Sequence, residues 1–150
     1  MKLLPALAGL FGLLIACTNM NNTSSNAEQV QATTVQLPKD FLDFYETFHR
    51  DSQYQIDHIV WPLQGDAGVQ VDSTHYNKVS KQWEPENWLM QRLNFDPKDY
   101  QRDVEMLGDL IVVERIRART VNFGVVRRFA KQSNGEWMLI YYSDLQEISK

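Results

Sequence analysis

Apolar and polar positions divide the chain into three stretches. Leu3 to Ile15 is a nearly unbroken apolar run, Thr18 to Gln36 is mostly polar with no aromatic residue, and from Leu37 onward apolar residues recur with the periods of regular secondary structure. Phe41, Leu42, Phe44, Tyr45 and Phe48 lie at helical spacing with Asp43, Glu46 and Thr47 opposite them, and Pro38 suits a first helical turn. This stripe predicts the best-defined helix. Asp51-Ser52 offers a stop or a second cap, and Gln53 to Ile59 suits a short helix. Val60-Trp61-Pro62-Leu63 then reads as a turn and Gly65 to Gly68 as a loop. Val69 and Val71 suggest a short strand, and Glu84-Pro85-Glu86-Asn87 looks like the entry to a helix carrying Trp88, Leu89 and Leu93, followed by a turn over Asn94 to Lys98. The C-terminal third is strand-like: Leu110 to Ile116 is a β-branched run, Val121 to Phe129 alternates, and Trp137 to Tyr142 alternates again beyond Asn134-Gly135, a hairpin signal. Helices followed by a meander of strands predict an α+β fold with helices on one face of an antiparallel sheet.

The first stretch has the form of an export signal. Met1-Lys2 is a short basic start, and the apolar run of roughly 13 residues is too short to span ~30 Å of hydrocarbon as a permanent helix. Leu14-Ile15-Ala16-Cys17 resembles the bacterial lipobox, in which the cysteine receives lipid through its thiol. The resemblance implies that residues 1–16 are a lipoprotein signal peptide and that Cys17 is lipidated and membrane-held; by composition residues 17–36 read as the lipidated cysteine and a flexible tether, and residues 37–150, which hold every aromatic residue except Phe11, as a single α+β domain. Cys17 is the only cysteine, so no intramolecular disulfide can form and lipidation removes an oxidation liability. A tether of this length reaches about 25 Å. Thr18 stands where an aspartate often retains lipoproteins in the inner membrane, and no acidic run follows. The expected address is the cell envelope, at the outer membrane facing the periplasm.

Composition narrows the function classes. With 150 residues and 43% hydrophobic content the chain holds enough apolar material for one core. A net charge of −4 with dispersed Lys and Arg gives no electrostatic support for nucleic acid. His49, His58 and His75 lack the spacing of a helical zinc site, the aspartates from Asp96 to Asp109 do not follow a calcium-loop pattern, and Gly65 and Gly68 have no phosphate-loop sequel. Neither a metal nor a cofactor is expected.

Phe41 to Gln55, then Ile59-Val60-Trp61-Pro62-Leu63, Trp83, Trp88 and the hairpin around Asn134 to Leu139 together resemble an uncharacterised family of small gut-bacterial lipoproteins. That family belongs to the nuclear-transport-factor-two-like, or cystatin-like, superfamily. The resemblance implies a curved sheet wrapped around the N-terminal helix as a cone with a cavity. It implies no activity, because this fold hosts isomerases, dehydratases, ligand binders and interaction modules.

His49 beside Asp51 and His58 beside Asp57 are candidates for proton transfer or ligand binding, although helix neighbours one or two apart do not face each other. Trp61, Trp83 and Trp88 are candidates for an aromatic ligand-binding wall, the simpler reading being that they fill the core. Arg115, Arg117 and Arg119 share one face of a strand, as a basic stripe or as a solvated face balanced by acids, and Asp72-Ser73-Thr74 resembles a short O-glycosylation signal. Three functions follow: a non-catalytic binding module for a small molecule or envelope protein, a structural or assembly partner dimerising through the sheet, and an isomerase- or dehydratase-like enzyme using a pocket carboxylate or His. A cavity of a few hundred Å³ inside the cone separates them, since a filled core would remove the cavity-presenting binding module and the enzyme together and is the sign expected of the assembly partner.

Overall fold

The aromatic stripe becomes the first element. In a computed structural model, which describes residues 36–72 and 76–148, α1 (Lys39–Arg50) buries Phe41, Phe44, Tyr45, Phe48 and His49. Pro38 precedes it, where a missing N–H leaves no helical bond unmade. Asp51 ends α1 in extended geometry and caps α2 (Ser52–Asp57), its Oδ1 accepting the Tyr54 N–H at 2.9 Å. Cys17, His75 and the Ser73-Thr74 pair lie outside the described residues.

Six strands follow: β1 (Ile59–Gln70), β2 (Tyr76–Trp83), β3 (Tyr100–Leu107), β4 (Ile111–Ala118), β5 (Phe123–Lys131) and β6 (Trp137–Glu147). They form one sheet in the order β2-β1-β6-β5-β4-β3. The expected antiparallel sheet is in fact mixed, because β6 returns between β5 and β1 and lies parallel to β1. Alternation and turn residues report hairpins between sequence neighbours, whereas this pairing joins strands far apart in the chain.

The strands β4, β5 and β6 match the alternating patterns, and Gly135 supplies the positive φ of 89° in the turn joining β5 to β6. Elsewhere the pattern misled. The expected turn at Val60–Leu63 and loop at Gly65–Gly68 both lie within β1. Gly65 is there because the backbone approaches too closely for a side chain: a Cβ would stand 1.7 Å from the Tyr142 carbonyl oxygen and 3.1 Å from Trp83 Nε1. The helix expected to carry Trp88 shrinks to one 3₁₀ turn, Pro85–Asn87, with Trp88 already extended. Strands β2 and β3 gave no signal because both are sheet edges whose residues are largely exposed and polar, so no buried face imposes alternation.

The core lies between α1 and the inner face of the sheet. Phe41 and Phe48 from the helix and Val112, Phe129, Leu139 and Leu63 from four strands are fully buried. Phe41 meets Trp137 edge-on at 5.0 Å and Phe48 meets Phe129 at 5.6 Å, the favoured arrangement of paired rings.

Candidate functional site

Trp61, Trp83 and Trp88 do come together, joined by Tyr142. Trp88 stands edge-on to Trp61 at 5.8 Å and to Tyr142 at 5.2 Å, and Trp83 meets Tyr142 at 5.2 Å. Each indole N–H is spent inside the protein: Trp61 on the Ile56 carbonyl at 2.9 Å, Trp83 on the Tyr142 carbonyl at 3.3 Å, and Trp88 on Gln55 Oε1 at 2.9 Å. The pocket against Trp83, Trp88 and Tyr142 holds about 80 Å³, well below the ~300–1,000 Å³ of ligand pockets. These rings pack against the core, with their polar handles turned inward.

His49 sits at a second centre that sequence reasoning missed. Its Nδ1–H donates to the Tyr45 carbonyl at 2.7 Å, which leaves Nε2 to accept from Arg127 Nη1 at 2.8 Å. Arg127 Nη2 lies 2.6 Å from Glu114 Oε2, and both side chains are almost wholly buried. Tyr45 and Arg102 both donate to Glu114 Oε1. Burial alone would raise the Glu114 pKa, but the charge of Arg127 and the hydrogen bonds from Tyr45 and Arg102 outweigh it and hold the carboxyl below its ordinary value. Burial, reinforced by the Arg127 charge, pushes His49 down to about 4, so it is neutral at pH 7. Glu114 and Arg127 face each other across β4 and β5, at inward positions among Val112, Ile116, Val125 and Phe129. Their signal was available, since each is a charge at an apolar position of an alternating strand.

His58 lies elsewhere, in an open groove of about 530 Å³ bounded by α1, α2 and the turn joining β5 to β6. Its ring stacks on Tyr54 at 3.7 Å and 19°, with Phe44 at 5.9 Å, and its Nδ1 bonds the Tyr54 carbonyl at 2.8 Å. Trp137 contributes a further aromatic surface, and Asp40, Asp43 and Glu136 the acidic border. The Tyr54 hydroxyl titrates above its ordinary value through burial and the nearby Glu136 charge. His49 and His58 therefore serve separate places, and neither pairs with its neighbouring aspartate: Asp51 caps α2, and Asp57 accepts from Gln53 at 2.9 Å.

The outer face of the sheet is a lattice of paired charges. Arg115 bonds Glu105 at 3.0 Å, Arg117 pairs with Asp103, and Arg128 lies over the Tyr141 ring, whose hydroxyl reaches Asp66 and thence Lys78. Arg119 turns aside to the Pro97 carbonyl. Among the described residues no group of three His, Cys, Asp or Glu is placed to hold a metal, and no helix is long and apolar enough to cross a membrane.

An N-terminal helix pair laid on one face of a six-stranded mixed sheet defines an α+β protein. More narrowly, the fold is cystatin-like. It is similar to a cystatin-like protein from Bacteroides caccae ATCC 43185, with TM-score 0.54 and 14% identity over 73% of this chain and 78% of that one. A nuclear-transport-factor-two-like protein from Bacteroides fragilis NCTC 9343 gives TM-score 0.49 and 16% identity over 76% of this chain, which spans only 50% of that protein's length. No family model and no curated protein matches the sequence.

Proposed function

We propose that this chain is a non-catalytic binding module of the bacterial cell envelope, anchored by lipid on Cys17 and engaging a partner protein through its outer surface. The periplasmic side of the outer membrane is its proposed address. The observation supporting a non-catalytic role is the chemistry of the interior. The buried carboxylate Glu114 is bound by Arg127, Arg102 and Tyr45, and the buried His49 accepts from Arg127. A general acid or base needs a proton to exchange with substrate in an open pocket, and these groups exchange contacts with each other instead. The space between α1 and the sheet is taken by aromatic rings, which counts against a ligand held inside the cone and narrows the binding reading to the outer surface, where the described grooves of several hundred Å³ are open to solvent. The buried acid Glu114 is thus held by its partners rather than offered to a substrate, which counts against an isomerase- or dehydratase-like enzyme built on it, and an assembly role through the sheet would have to displace its existing ion pairs.

The test compares the wild-type chain with Cys17→Ser after expression in a bacterium. The wild type is expected in the membrane fraction, processed and carrying lipid mass, and the variant uncleaved or soluble. A variant that is still processed and membrane-bound would refute the anchor. In parallel, in-cell crosslinking is expected to trap an envelope protein, whereas sugars, sterols and bile acids leave the melting temperature unchanged. A small molecule that raises it and is turned over would refute the non-catalytic reading.

A further inference from the structure

The groove around His58 has a chemistry of its own. Three carboxylates border it, and none of its lining residues is Lys or Arg. Asp40 is committed to the protein, its Oδ2 accepting from Trp137 Nε1 at 3.2 Å and from Lys131 at 2.6 Å. The other two are available. Among the described residues Asp43 pairs with Lys39 alone, across one helical turn, with the two side chains 65% and 85% exposed, and such a pair is worth a few tenths of a kcal/mol, so an incoming cation can replace the lysine. Glu136 accepts from the Asn134 amide at 2.6 Å, and no cation pairs with it among the described residues. The same groove is lined by the stacked, part-buried Tyr54 and His58 rings, and aromatic faces attract cations.

We propose that this groove binds a cationic side chain, a lysine- or arginine-bearing segment of a partner protein. The assignment rests on the binding-module reading above and names the chemistry of its partner. The groove is open to solvent rather than enclosed, which admits a side chain still attached to its backbone. An acidic border also repels anionic headgroups, so a lipid surface is the poorer occupant.

The test titrates the full chain, purified with whatever lipid it carries, with the acetylated and amidated peptide Gly-Lys-Arg-Lys-Gly and with its counterpart bearing Gln at the three central positions. The indole N–H resonance of Trp137, assigned with Trp137→Phe, reports from the groove itself. The basic peptide is expected to shift that resonance saturably and more weakly in high salt, while the Gln peptide does not. Asp43→Asn combined with Glu136→Gln removes two exposed charges and should raise the dissociation constant roughly fivefold or more, as loss of rim ion pairs would. Glu84→Gln with Glu86→Gln, equal in charge but distant in sequence, should leave it unchanged. An unmoved Trp137 signal, an equal response to the Gln peptide, or an equal loss in the control pair would overturn the assignment. If crosslinking still traps a partner on another surface, the groove assignment alone has failed; if nothing is trapped, the broader reading has failed as well.

Discussion

Two buried side chains tie stability to acid in the same direction. The unfolded chain protonates His49 near its ordinary value of 6.5, whereas the folded protein resists until about 4. Between those values the unfolded state binds more protons, so stability is full above about pH 6.5 and declines toward pH 4. Glu114, held below its ordinary 4.5, contributes stability above that value and loses it as the pH falls further. The melting temperature is therefore expected to fall from pH 7 to pH 4, with His49 accounting for up to about 3 kcal/mol. Replacing His49 by Gln keeps a donor and an acceptor but removes the titration, and should flatten the decline between pH 6.5 and 4; an unchanged slope would show that His49 is not its source. Glu114 and Arg127 stand out as charges at apolar strand positions, but their link to His49 was hidden because sequence proximity suggested Asp51 as its partner. The charged partner lies on β5, and the carboxylate behind it on β4, brought in only by the register Glu114 opposite Arg127.

At the scale of elements, the segment from Pro85 to Asp99 has little secondary structure, and one residue of α2 clamps its middle. Gln55 is fully buried and uses both ends of its amide: Nε2 donates to the Phe48 and Gln91 carbonyls at 2.7 and 2.9 Å, and Oε1 accepts from Trp88 Nε1 and the Gln91 N–H at 2.9 and 2.8 Å. Substituting Leu keeps the approximate volume but strands these partners, at roughly 1–3 kcal/mol for each one left buried without a bond. Gln55→Leu is expected to speed amide exchange at Gln91 and lower the melting temperature, while β4 to β6 keep their protection. Uniform loss of protection would mean that the segment is not a separate unit. The short α2 itself was legible from its cap and polar pattern. Its role as a clamp was not, because a glutamine on a short helix reads as surface until the indole and backbone that fill its bonds are brought against it.

For the whole molecule, the α+β character, the aromatic helix and the C-terminal meander were legible because each buries one face and so carries a period. The edge strands and the long β1 were not, since exposure removes the period and Gly65 imitates a loop where close packing requires it. The three tryptophans singled out in the sequence lie together, and the inward direction of their N–H groups makes the cluster core packing rather than a wall for ligand. Of the residues singled out, His58 lies along the groove between α1 and α2, His49 borders a smaller open groove with Arg92 and Leu93, and Arg117 and Arg119 line a third at the end of β4.

The parallel pairing of β1 with β6 also governs when the protein can come into being. Ile59 pairs with Leu139 and Asp66 with Ser143, contacts spanning roughly eighty residues, whose closure cost must be met before they stabilise anything. A chain emerging from its N-terminus can form the β1–β2 hairpin and then the meander of β3 to β5, yet these remain two open sheets until the last strand arrives between them. On the export route proposed above, assembly should thus wait until the last strand has passed, leaving the earlier segments unfolded enough to be threaded. A chain ended before Trp137 is expected to be digested throughout by a dilute protease at concentrations that leave the full chain intact.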